Sequence, residues 1–489
     1  MSNDTHERLK IEGQPTPKQD PRVRTQNWQE TFLGFSLENA KIEATRCIQC
    51  PDAPCMTACP VGNDIPGAFL LLERGDVVGA ANKFRETSNL PEMCGRLCPQ
   101  ESLCEGDCVV GFAIRPDDMQ PQRPVAIGKL ESFGTDTQRM TEGLPMPDVE
   151  PATGQKVAVI GAGPAGLAVA EELAKKGHEI ALFDSWSEPG GVLLYGIPNF
   201  KMQKEILDDK LEYLWKLGIT FQGNTYVGRD VTIDQLFDRG YHAVFLGFGA
   251  SQGNQLDAPG ADLPGVIIAT EYLVRGNLKP EQLPEWMREP LPDAKRVLVI
   301  GGGDTSMDCV RTAVRLGAGE VTCVYRRTEA EQKGRIEERV HAVEEGVRFE
   351  YLAAPLSFEA GSDGSIERVR FSRTELGEPD ESGRRRPVPT GEEFTVEADT
   401  VVIAIGYGTD DEIVRMADGI ETDQWSLVSV NEDTFETSRP GVFAGGDCVN
   451  GADLVVTALA DGRRAATTIH AYLQALPTKQ PSAITGLTS

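Results

Sequence analysis

The sequence predicts a multi-domain α/β protein. It should hold an N-terminal helical, cysteine-rich domain and then two Rossmann-like dinucleotide-binding domains, the second inserted into the first. Three observations predict this. Eight of the eleven cysteines fall between Cys47 and Cys108. Two strand–glycine-turn–helix patterns begin at Lys156 and Arg296. A strand entering a Gly-Gly-Asp turn comes late, at Gly441 to Asp447. The length of 489 residues suits roughly three domains at about 150 residues each.

Composition narrows the class. The 75 acidic residues outnumber the 48 basic ones, for a net charge of −27. Such a chain repels phosphate backbones, so nucleic acid is excluded as a general partner. A hydrophobic fraction of 40% excludes a wholly disordered chain. No apolar run nears the ~18–20 residues of a membrane helix. The polar start, MSNDTHERLKIEGQ, lacks a signal-peptide core. A cytoplasmic protein without membrane partners is expected, with residues 1 to about 40 as a polar arm.

In that compartment, dense thiols are metal ligands or catalytic groups rather than disulfides. The first group reads Cys47-x2-Cys50-x4-Cys55-x3-Cys59-Pro60, the second Cys94-x3-Cys98-Pro99-x4-Cys104-x3-Cys108. Short loops of this kind wrap an iron–sulfur cubane. The first group partly matches the bacterial ferredoxin run, whose fourth Cys precedes a Pro and serves a different cluster. Zinc is the alternative, but only Cys47 and Cys50 have the C-x2-C spacing of a zinc knuckle. Between the groups, residues 65–85 have helical apolar spacing broken near Gly75. This cluster-binding domain should span 1–145, and the Pro- and Gly-rich stretch 141–155 reads as a linker.

Next comes a complete dinucleotide motif. Gly161-x-Gly163-Pro164-Ala165-Gly166 follows a strand and opens a helix over 164–176. The first glycine makes the turn, the second admits a pyrophosphate, and the third lets helix and strand pack. Asp184 closes the second strand (179–183), where a carboxylate binds an adenosine ribose.

The second motif has Gly301-x-Gly303-Asp304-Thr305, with Ser306 in the third glycine position. Its second strand (320–325) ends in Tyr325-Arg326-Arg327 rather than an acid. Arginines there suit a 2′-phosphate, so this site should prefer NADPH over NADH. The strand at 402–407 ends in small residues, bringing Ala404 and Gly406 close to a ligand. The first unit should therefore take FAD. It should resume at Gly446 and Asp447, which can hold the ribityl chain, followed by a helix from Leu454 that carries Thr457. That helix N-terminus suits the flavin pyrimidine edge. The expected FAD domain is 155–290 plus 407–475, the NADPH domain is 291–406, and 476–489 is a tail.

The residues resemble one family closely: the small (β) subunit of bacterial NADPH-dependent glutamate synthase. The wider family includes the N-terminal half of dihydropyrimidine dehydrogenase. The most specific pieces are CIQCPDAPCMTACPVGNDIP, CGRLCPQESLCEGDC, PGGVLLYGIPNFKM, GGGDTSMDC and AGGDCVNGADLVVTALADGRRAA. The resemblance implies two [4Fe-4S] clusters with interleaved ligands. Cys47, Cys50, Cys55 and Cys108 would hold one. Cys59, Cys98, Cys104 and Glu131 would hold the other, leaving Cys94 a non-ligand, although a count of cysteines would choose it. It also places Gly191, Val192 and Lys201 at the flavin and adds Lys333 to the 2′-phosphate site. The segment TEAEQKGR around Lys333 departs from the family pattern.

The implied activity is electron input: L-glutamine and 2-oxoglutarate with NADPH give two L-glutamate. The glutaminase, FMN and [3Fe-4S] centre would belong to a large (α) subunit. The same module could serve a pyrimidine-reducing or ferredoxin-linked enzyme. Hydride transfer to flavin needs stacking and orientation, so no residue is assigned as a general acid or base. His178 and His242 are expected to be surface or packing residues.

Overall fold

The computed structural model describes residues 3–381, 383–409 and 419–476. The expected tail lies outside the described residues but for Leu476.

The N-terminal domain is helical. Its central helices, Ile65–Arg74 and Val77–Arg85, meet at Gly75, which ends the first in a left-handed turn (φ 86°). Asp64 and Asp76 cap them by accepting from Gly67 and Gly79 N–H. Phe69, Leu72, Phe84 and Leu130 pack the core of this domain. The helix Ile127–Glu142 ends the domain and leads into residues 143–155, which carry no helix or strand.

The first dinucleotide unit is built on β1 (Lys156–Ile160), β2 (Glu179–Phe183), β3 (Thr220–Gln222) and β4 (Ala243–Leu246). The chain then leaves through β5 (Gln252–Gly253). The second unit holds β6 (Val266–Ile268), β7 (Arg296–Ile300), β8 (Glu320–Tyr325) and β9 (Arg348–Tyr351). An antiparallel sheet of β10 (Ala353–Ala360), β11 (Ile366–Pro379) and β12 (Arg385–Glu397) follows, then β13 (Thr400–Ile403). The chain returns through β14 (Tyr407–Gly408) and completes the first unit with β15 (Val442–Ala444). Both main sheets are parallel, in the orders β15-β4-β1-β2-β3 and β6-β13-β7-β8-β9. Their strands are apolar almost throughout, as burial on both faces requires.

The outgoing and returning strands pair antiparallel, Tyr407 opposite Gly253 and Gly408 opposite Gln252. The second unit therefore begins just after residue 253, not at 291. Its first strand, β6, has only three residues, too few to show a period.

The described part of residues 1–40, from Asn3 on, is also not a polar arm. Helices form at Asn3–Arg8 and Pro21–Arg24, and Arg24 is 1% exposed. Arg24 donates to Glu345 and Glu344, both at 2.7 Å. Thr31 N–H donates to Phe200 O (3.1 Å), and Arg311 donates to Thr31 Oγ1 (2.7 Å). The segment binds both dinucleotide units through partners far away in sequence. No helix among the described residues is long and apolar enough to cross a membrane.

Candidate functional site

The first glycine turn is fixed by close contacts. Gly161 has φ +98°, and a Cβ there would meet Gly247 O at 2.3 Å. A Cβ on Gly166 would meet Gly161 O at 1.9 Å. Gly163 precedes the helix Pro164–Lys175, whose free N–H groups face the turn. Gly191 (φ +53°) brings a second backbone so near that its Cβ would lie 2.9 Å from Gly163 Cα. Asp184 closes β2. Its carboxylate accepts from Ala162 N–H (2.8 Å) and Trp186 N–H (3.0 Å), and burial pushes its pKa up against those bonds.

The second turn repeats this geometry. A Cβ on Gly301 would meet Ala404 O at 2.1 Å, and Gly303 precedes the helix Asp304–Arg315. Asp304 accepts from Arg335 N–H at 3.0 Å.

Both turns open into one continuous cavity of about 1000 Å³. Gly161, Gly163, Pro164, Ala165, Asp184, Gly191, Val192 and Asp447 line it from the first unit. Gly301, Gly303, Asp304, Thr305, Ala404 and Gly406 line it from the second, with Arg326, Arg327 and Lys333 beyond β8. A single cavity shared by two dinucleotide turns lets two bound dinucleotides meet. Asp447 is pushed up to about 6 by burial. Three expected site residues stand behind the wall instead. Gly166 is the packing glycine. Gly446 N–H donates to Asp461 Oδ2 (3.0 Å). Thr457 Oγ1 accepts from Leu454 N–H (3.1 Å), capping the helix Val455–Ala475, while Leu454, Val455 and Ala458 do the lining.

Lys201 lines the cavity but is paired with Asp308 of the second unit. Sequence reasoning missed Asp308 and also Arg384, which lines the cavity beside the expected cations. Arg384 gave no signal, because nothing local ties it to the second glycine turn. Arg327 is 6% exposed and its Nε has no hydrogen-bond partner. A buried guanidinium nitrogen without a partner is costly, so these residues fit a bound phosphate. His178 is buried rather than superficial. Its Nδ1 lies 2.8 Å from Thr153 Oγ1 and its Nε2 2.9 Å from His470 Nδ1. His242 Nδ1 accepts from Lys156 N–H at 3.0 Å.

The cysteines neighbour one another in two sets. Cys55 lies within electrostatic reach of Cys108, Cys47 and Cys50, and Cys50 within reach of Cys108. Cys59 feels Glu131 and Cys94, and Cys104 feels Glu131, Cys59 and Cys55. Cys59, Cys94, Cys98, Cys104 and Glu131 line one small cavity. Asn63 Nδ2 donates to Glu131 Oε1 at 3.1 Å, and burial raises that carboxyl strongly. Cys94 Sγ lies 3.8 Å from Ser88 Oγ. Among the described residues, no group of three or more His, Cys, Asp or Glu has closed to metal-ligating geometry. The donor chemistry nonetheless fits a cationic cluster. Burial pushes Cys47 up to about 11 and Cys55 up to about 12, so only a positive centre would hold these soft donors as thiolates.

The two cavities share a wall. Val455 lines the large cavity and Val456 the one lined by Cys59, Cys98 and Cys104. The first residues of the helix Val455–Ala475 thus border both.

Comparison with known proteins gives the family. Residues 155–462 match the pyridine nucleotide-disulphide oxidoreductase model, and residues 24–143 match dihydropyrimidine dehydrogenase domain II, 4Fe-4S cluster. The chain is 40% identical over 480 residues to the glutamate synthase [NADPH] small chain of Escherichia coli K12, covering 97% of this chain and 100% of that one. The chain belongs to the glutamate synthase small-chain family. The Azospirillum brasilense small chain is also 40% identical, over 94% of each chain. The family extends further: the putative oxidoreductase AegA of E. coli is 40% identical over 92% of this chain and 68% of its own length. Among solved structures, FprA of Mycobacterium tuberculosis shares the fold of 66% of this chain and 85% of its own, with TM-score 0.56 and 21% identity. This member of the small-chain family is thus a pyridine-nucleotide-linked flavin oxidoreductase with a 4Fe-4S domain.

Proposed function

We propose that the chain is the electron-input subunit of a cytoplasmic glutamate synthase. NADPH occupies the second unit and FAD the first. Two [4Fe-4S] clusters carry electrons to a large subunit holding glutaminase, FMN and [3Fe-4S]. Together they convert L-glutamine, 2-oxoglutarate, NADPH and a proton to two L-glutamate and NADP⁺. In this reading residues 1–145 form the cluster domain. The FAD domain is 155–253 with 407–475, and the NADPH domain is 254–406.

The wall formed by Val455 and Val456 carries the reading. The cavity lined by Cys59, Cys98, Cys104 and Glu131 and the proposed flavin groove border the same helix start, which supports the reading. Cys104 neighbours Cys55 and so links that set to Cys47, Cys50, Cys55 and Cys108. A bound flavin would couple a two-electron hydride donor to one-electron acceptors. The chain's own part is to orient the two dinucleotides and space the cluster ligands.

Glutamate synthase is the favoured assembly because every part of the E. coli small chain has a counterpart here. A second reading gives the same module another acceptor. AegA, UacF and the beta subunit of the NADP(+)-dependent formate dehydrogenase of Moorella thermoacetica are 37–41% identical to this chain. The deciding experiment combines the holoprotein with a large subunit, NADPH, glutamine and 2-oxoglutarate. Glutamate formation supports the first reading. Dye reduction without glutamate, using a large subunit active with its own partner, favours the second.

A further inference from the structure

We infer that Arg384 is a fourth cation of the 2′-phosphate site, delivered by the β11–β12 connection and not by the dinucleotide fold itself. This rests on the NADPH reading above and deepens it.

The antiparallel sheet is docked on the end of β8. Thr374 Oγ1 donates to Arg326 O at 2.9 Å, and Leu352 N–H donates to Arg327 O at 3.1 Å. Thr374 N–H in turn donates to Leu352 O at 2.8 Å. The peptide groups of the two expected phosphate-binding arginines are thereby tied to β11. Pro379 pairs with Arg385 at the end of the hairpin. Arg384 N–H donates to Asp380 Oδ1 and Asp380 N–H to Arg384 O, each at 3.0 Å. The backbone of Arg384 is therefore held in place.

Three arginines follow in sequence, and they behave differently. The Arg385 guanidinium donates to Gly377 O and Leu376 O, both at 2.9 Å. Arg386 lies 3.8 Å from Asp380. Both are engaged within their own hairpin. Arg384 alone lines the cavity, together with Arg326, Arg327 and Lys333. None of these four forms an ion pair among the described residues, in a chain whose acids outnumber its bases by 27. Arg327 Nε is buried without any partner. Four cations without an ion pair among the described residues, one with a buried nitrogen lacking a partner, line the cavity that the second glycine turn opens into. The anion they fit is a phosphate on the far side of the adenosine ribose.

Direct binding to the holoprotein tests this. 2′,5′-ADP carries the extra phosphate and 5′-AMP does not. Calorimetry on Arg384→Ala should show binding of 2′,5′-ADP weakened about tenfold, the scale of one charge-assisted bond, with 5′-AMP binding unchanged. The KM for NADPH should rise by a similar factor with kcat and NADH use unaltered, and Arg384→Lys should recover most of the loss. Wild-type affinity for 2′,5′-ADP in Arg384→Ala overturns the inference, and so does equal weakening of both nucleotides. If wild-type protein binds both nucleotides alike and Arg326→Ala changes neither, the NADPH reading itself fails.

Discussion

Lys201 Nζ lies 2.9 Å from Asp308 Oδ1, joining the first dinucleotide unit to the second across the shared cavity, and both side chains are 8% exposed. Glu338 and Asp304 add negative charge nearby, so the lysine stays cationic despite burial. Removing one partner of such a pair strands the other. Asp308→Asn should destabilise the protein by about 3–5 kcal/mol in denaturant unfolding. Adding Lys201→Met should return part of that loss, because the stranded charge is gone. An unchanged midpoint in Asp308→Asn would show that the pair contributes nothing.

The proposed preference for NADPH rests on the carboxylate missing after β8. Arg326→Ala should raise the KM for NADPH tens-fold in dye reduction and leave NADH almost untouched, since charge-assisted bonds to phosphate are lost only for NADPH. Equal loss for both would refute the assignment.

Cluster ligation is read by iron content. Glu131 and Cys94 face the same cavity, but Glu131 is oriented by Asn63, whereas Cys94 contacts Ser88. Glu131→Ala should perturb one cluster in its paramagnetic spectrum, and Cys50→Ser should remove the other. Cys94→Ala should retain full iron. Iron loss confined to the Cys94 variant would reverse the assignment.

The N-terminal domain cannot be removed cleanly. Leu90 and Met93 pack in the same core as Leu167, Leu207 and Leu459 of the first unit. Deleting residues 1–143 should expose that apolar face and yield protein that aggregates and loses FAD. Soluble truncated protein with full FAD would contradict this packing.

His178 supplies a pH dependence. Burial, and then the neighbouring His470, lowers its pKa to about 4 from an ordinary 6.5, with Glu150 opposing and His242 reinforcing. The folded state holds it neutral while the unfolded state takes up the proton. Stability is therefore intact above pH 6.5 and falls as the pH drops from 6.5 towards 4. His178→Gln, which can still bond Thr153, should flatten that part of the melting-temperature profile.

The glycine turns, Asp184 and the cysteine spacing were legible in sequence because a phosphate or a cluster imposes local spacing. What could not be read depends on partners distant along the chain. Strand β6 is too short to announce itself and is defined by pairing with β13. Arg384 reaches the cavity only because a hairpin folds back over β8. Lys201 and Asp308 each lie in a family motif, but they are 107 positions apart and nothing in either motif says that they pair. Arg24 sits in a polar stretch and is buried by glutamates more than 300 residues distant.

That segment governs how far the enzyme can open. Trp28 O and Glu30 hold Gln203 of the first unit, Arg96 of the cluster domain grips Glu30, and Arg311 and Arg315 of the second unit hold Thr31 and Asn27. The paired strands β5 and β14 and the Lys201–Asp308 pair also join the two units. A wide swing about those strands would have to tear out all of these contacts together. Opening of the cleft between the two units is therefore opposed both by this N-terminal strap and by the Lys201–Asp308 pair.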